Sequence, residues 1–107
     1  LVITREDDEA PSRAFSVDSD GFRELTAWAD VRVRDCTPGS GSEDVLLLIE
    51  RRSEPRTFAV VNTDRNFFGQ FEVVLDLGET AASSITLWQG DLYVGTDEGI
   101  ILRARGF

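Results

Sequence analysis

A chain of 107 residues has room for one ordinary domain, and 41% hydrophobic residues supply the apolar surface that a disordered acidic chain lacks. Twenty acidic residues against eleven cationic ones leave a net charge of −9, which repels phosphate and anionic head groups; nucleic acid and membrane insertion are excluded on that ground and for want of a long apolar run. Every cation is Arg, there is no His, and Cys36 is the single cysteine, so imidazole catalysis, soft-metal clusters and internal disulfides are excluded too.

Along the chain, short stretches rich in Val, Ile, Leu, Phe and Thr alternate with clusters of Gly, Pro, Asp, Asn and Ser, the punctuation of strands and turns. This pattern predicts ten strands, near residues 1–4, 13–17, 22–26, 31–34, 45–50, 57–62, 71–75, 84–88, 92–96 and 100–104. The one stretch with helical appeal, 22–34, alternates Val31 and Val33 with Arg32 and Arg34, a period of two that reads as strand. Turns are expected at Asp20-Gly21, at 37–42 with Cys36 in the flexible loop beside it, at 66–69 and at Gln89-Gly90-Asp91. The chain starts in an apolar stretch without Met and without a basic leader, and so reads as part of something longer.

The strands recur as a unit. EAPSRAFSV at 9–17 aligns with EPRTFAV at 54–60 when Ala10 and Ser12 are skipped, which places Phe15 and Phe58 at equivalent positions. Leu1-Val2-Ile3 precedes the first copy as Leu46-Leu47-Leu48 precedes the second; Phe22-Arg23-Glu24-Leu25 answers to Phe71-Glu72-Val73-Val74; and Asp44-Val45 returns as Asp91-Leu92. Four strands per repeat of about 43 to 49 residues is the size of a β-propeller blade, a sheet that hides its two faces only against neighbouring sheets. Two covered faces account for the unbroken apolar runs at 45–49 and 100–102. The expected fold is all-β, about two and a third blades: 1–26 ends one blade, 27–75 is complete, and 80–107 begins the next.

SITLWQGDLYVGTDEGIILRA at 84–104 resembles the first three strands of propeller repeats of the non-tryptophan-aspartate type, such as the two-component-regulator, quinoprotein-like and citron-homology propellers. FEVVLDLG at 71–78 is similar to the outer strand that closes a preceding blade. The resemblance implies a blade and leaves the chemistry open, because such propellers include sensors, lectins, scaffolds and enzymes.

Candidate site residues fall in turns. Asp18 and Asp20 before Gly21 resemble the Asp-box turn of sialidase-like propellers, one residue short, and would suit calcium; a tight hairpin turn is the competing reading. Glu6, Asp7, Asp8 and Glu9, Arg51 and Arg52, and Asp97 and Glu98 occupy the connection between the second and third strands of successive repeats, giving an acidic, basic, acidic sequence around one rim that would meet a ligand or partner. Trp28 and Trp88 are expected in blade packing, or on a rim against a sugar ring, and Gly95 to admit a neighbouring blade. No catalytic residue is assigned. The leading expectation is a non-catalytic binding scaffold whose partners are another protein or further blades, including copies of itself; a carbohydrate-active propeller and a structural part of a larger particle are the alternatives.

Overall fold

A computed structural model describes residues 2–4, 12–18, 21–28, 31–52, 54–64 and 67–107, with side chains at Ile3, 31–52, 54–64 and 71–107. Ten strands follow one another with no helix among the described residues: β1 (Val2–Thr4), β2 (Ser12–Asp18), β3 (Gly21–Trp28), β4 (Val31–Pro38), β5 (Asp44–Arg51), β6 (Thr57–Asp64), β7 (Phe67–Gly78), β8 (Ala82–Trp88), β9 (Asp91–Thr96) and β10 (Ile101–Ala104). Each pairs antiparallel with its sequence neighbour to make three open sheets: β1-β2-β3, β4-β5-β6-β7 and β8-β9-β10. The sheets stack like on like, β3 against β7 and β4 against β8.

The middle sheet lies between the other two, which explains the sequence of β5. Val45, Leu47 and Ile49 pack with Ala59 and Val61 beneath Ile3 of the first sheet. Leu46 and Leu48, pointing the opposite way, pack with Val60 against Ala82, Ile85, Leu92 and Val94 of the third. A strand covered on both faces has no use for alternation, and Leu47 and Leu48 are 1% and 0% exposed. The parallel expectation for 100–102 is not met: Ile100, Ile101 and Leu102 are 54%, 73% and 38% exposed. β10 is an edge strand, and Ile101 shares with Gly95 the face of the third sheet turned away from the middle one.

Two predicted turns are strand instead. β4 runs on to Pro38, so Cys36 sits in a ladder opposite Leu47 and not in a loop, and the turn starts at Gly39. Pro38 is tolerated because it ends the strand, where a missing N–H costs little. β7 begins at Phe67, directly across from Asp64, and absorbs Phe67, Phe68 and Gly69 of the expected turn. The turn at 89–90 is a two-residue one: Gln89 and Gly90 both have positive φ, and Trp88 pairs with Asp91. That is the type I′ geometry whose twist matches a hairpin.

Register corrects one part of the alignment. Phe15 pairs with Val2, whereas the residue paired with Leu47, which answers to Val2, is Val61. Phe58 pairs with Glu50 and Gly78, near the opposite end of its strand. Phe15 and Phe58 therefore occupy different places, and the Glu-Pro-Arg-Phe-Val match is out of register. The flanking matches keep step. The bulge between Ala14 and Phe15, facing Thr26 and Glu24, has its counterpart between Val60 and Val61, facing Leu75 and Val73. Likewise the irregularity between Val33 and Asp35, opposite Ile49 and Leu48, matches that between Ala82 and Ser84, opposite Thr96 and Gly95.

Candidate functional site

Antiparallel pairing brings two kinds of connection to one end of the stack. Arg51 pairs with Val31 and Thr57, Phe58 with Gly78, and Ala82 with Thr96, so the β5–β6 and β9–β10 turns lie at the same rim as the start of β4 and the passage from β7 to β8. A hydrogen bond of 2.9 Å from the Asp97 amide to the Ala81 carbonyl ties two of these segments together.

The centre of this rim is a carboxylate. Glu50 is the last residue of the inward series Leu46, Leu48, Glu50 on β5, and it is 4% exposed where the core between the middle and third sheets meets the surface. A lone buried carboxylate would be costly, and here cations flank it. Arg32 Nη1, directly across the ladder, stands 3.8 Å from Oε2, and Arg34 Nη1 is 3.7 Å from Oε1. Arg34 is the extra residue of the β4 bulge, which re-aims its side chain. Its guanidinium lies over the Phe58 ring, 5.7 Å from the centroid, and its Nη2 is 3.7 Å from Asp97 Oδ2 on the third sheet. The result is a chain Arg32–Glu50–Arg34–Asp97 crossing from one sheet to the next.

The sequence-predicted rim residues are partly gathered here. Asp97 belongs to the chain of charges; Arg51 and Arg52 are half-buried at the end of β5; Glu98 is exposed in the β9–β10 turn, beside Glu79 and Thr80. Glu6, Asp7, Asp8, Glu9 and Asp20 lie outside the described residues. Asp18 is described in its backbone only, as the end of β2 paired with Gly21 across a two-residue connection, the register of a tight hairpin. Among the described residues no three His, Cys, Asp or Glu side chains are grouped to hold a metal ion.

Three charged residues escaped the sequence reading. Nothing local marked Glu50, Arg32 and Arg34 as a cluster; the signal present was a charge, Glu50, directly following a buried apolar run. Trp88 is 62% exposed and belongs to neither described core, while the Trp28 side chain is outside the description. Gly95 lies on the face of the third sheet turned away from the middle one, where a Cβ would make Ser84 Oγ on β8 move. The third sheet carries a separate ion pair on its outer face, where Arg103 Nε donates to Asp91 Oδ2 at 2.9 Å and Nη2 at 2.5 Å. That hydrogen bond, with the guanidinium charge, holds the Asp91 carboxyl below the usual carboxylate range.

No protein-family model matches the chain, and neither a curated protein nor a solved structure does.

Proposed function

We propose that this chain is a non-catalytic β-propeller module that binds a protein partner through the rim built around Glu50. The observation that carries the reading is the junction of one meander with the next: β4 stands on β8 and β3 on β7, and their bulges fall at corresponding positions. Tandem duplication of a four-stranded blade accounts for that arrangement, and for the three-stranded first and third sheets as portions of adjoining blades. In such a stack the connections after second and fourth strands gather on one rim. Here that rim mixes Arg34, Arg51 and Arg52 with Asp97, Glu98 and Glu79, a charge pattern suited to a mixed peptide surface.

Selection from a random peptide display library tests this. Selected peptides should lose binding to the double variant Arg51→Glu/Arg52→Glu and keep it with Trp88→Ala. A specific observation favours carbohydrate as the second reading: Trp88 offers an exposed ring next to Asp91. On a glycan array, binding abolished by Trp88→Ala and indifferent to the arginine changes would replace the first reading by the second.

A further inference from the structure

β10 lies at the edge of the third sheet, with β9 on one side and no strand on the other among the described residues. It stands to β9 as β6 stands to β5, but β6 carries β7 on its far side. An edge strand keeps backbone N–H and C=O groups that its one ladder does not use, and a further strand can take them up. Native sheets blunt such edges with Pro or with charge. The middle of β10 has neither: Ile101 and Leu102 are exposed there, and Ile100 just before them is exposed too.

The ground beside this edge is apolar. The sheets stack with β4 against β8, so the four strands of the middle sheet reach one strand further than the three of the third. That further strand is β7, whose Val74, Leu75 and Leu77 are half-buried and pack against the core shared with the third sheet. Edge and floor together make a groove one strand wide. Its far end is basic, because Arg103 and Arg105 are both exposed there. Asp91 Oδ2 accepts from Nε and Nη2 of Arg103, which leaves Nη1 for a second carboxylate.

We propose that β10 takes up an extended segment of another protein as a fourth, antiparallel strand, with apolar residues against Leu102 and β7 and a carboxylate against Arg103. Main-chain hydrogen bonds hold such a segment and its alternate side chains select it. The middle sheet supplies the pattern. Leu48 and Gly95, opposite the matching irregularities of β4 and β8, pair with Val60 and Ile101, so Val61 and Asn62 answer to Leu102 and Arg103. On β7, Leu75 pairs with Val60, Val73 with Val61 and Glu72 with Asn62. A segment of that pattern sets a glutamate across from Arg103, where the charges agree. A second copy fits worse: two β10 edges joined antiparallel about a two-fold axis bring both middle sheets under the same face, each β7 into the space of the other copy's β6. The proposal needs the open edge, the apolar floor and the arginines, and does not depend on the rim around Glu50.

The test is a titration of the isotope-labelled full chain with a synthetic peptide of sequence FEVVLDLG, that of residues 71–78, following the backbone amides by NMR. Saturable shifts are expected at Ile101, Leu102 and Arg103, half-complete at roughly 0.1 mM, with slowed hydrogen exchange at the same amides. The peptide N-methylated at alternate residues cannot form the ladder and should bind at least about tenfold more weakly. FRVVLDLG, with the glutamate reversed in charge, should weaken by about tenfold as well. Both controls use the unaltered chain, so no variant has to fold. Equal binding of either control, or absence of shifts up to about 2 mM, overturns the proposal. Shifts confined to Arg51 and Arg52 overturn it too while placing the peptide at the rim. Dilution of the chain without peptide that moves the β10 amides assigns the edge to a second copy, and overturns it likewise.

Discussion

Asp35 joins two sheets through one side chain. Its Oδ1 accepts from the Cys36 amide at 2.9 Å and its Oδ2 from the Ile85 amide at 2.9 Å, so a residue on β4 supplies the acceptor for a backbone N–H on β8. β8 is the edge of the third sheet, paired only with β9, and Ile85 is buried there. Asp35→Ala leaves that N–H without an acceptor in a place water reaches poorly. A hydrogen bond to a charged group contributes about 1.5 to 3 kcal/mol, and the Cys36 bond is exposed and adds little, so a loss of about 2 kcal/mol is expected. For a domain of this size that lowers Tm by roughly 8 °C. Asp35→Asn keeps one acceptor oxygen and should lose about half as much. Urea denaturation gives the magnitude, and hydrogen exchange at Ile85 gives the location: protection at that amide should fall more than at Val94 in the same sheet. A change under about 0.5 kcal/mol, or unaltered protection at Ile85, would refute the inference that this carboxylate fastens β4 to β8.

Leu48→Ala removes a fully buried side chain from the core shared by the middle and third sheets and should cost about 2 to 5 kcal/mol by urea denaturation, whereas Ile101→Ala on the uncovered face should change stability by less than about 0.5 kcal/mol. Burial, and secondarily the Asp35 charge, pushes the Cys36 thiol above its ordinary pKa; alkylation at pH 8 should be slower than that of a free cysteine peptide, and Asp35→Asn should speed it. Because the Asp91 carboxyl is held below its unfolded value by Arg103, the stabilisation from this pair is present above the unfolded-state carboxylate pKa and is lost as pH falls through the lower folded one. NMR titration of Asp91 should show its midpoint rise in Arg103→Gln, and an unchanged midpoint would dissociate the shift from this partner. Glu50→Gln should destabilise by about 1 to 3 kcal/mol, less than the full loss of a deeply buried ion pair because Arg32 and Arg34 remain in part solvated; equal stability by thermal melting would show that Glu50 adds nothing there.

What could be read without coordinates was whatever the chain writes locally. Ten strands were legible because apolar composition and turn residues act over a few positions, and the unbroken run at 45–49 announced a strand covered on both faces. The same local view fails where a residue's role is set by a distant partner. Asp35 and Ile85 are 50 positions apart, and nothing near either one marks the bond between them. The insertion of Arg34 into β4 as a bulge turned its side chain toward Glu50 and Asp97, so three charges scattered along the sequence became one chain. Phe15 and Phe58 were misplaced by a local likeness of sequence, although the ladders that set their positions against β1 and β5 carry no bulge. Sequence identity counts residues, while register counts ladder pairs, and the two part wherever a strand carries an extra residue or a loop changes length. Composition and periodicity thus determined that the chain makes strands and that β5 is buried; strand register and the stacking of sheets decided that β10 is exposed and which polar groups meet, because both depend on approaches between backbones that no short stretch of sequence encodes.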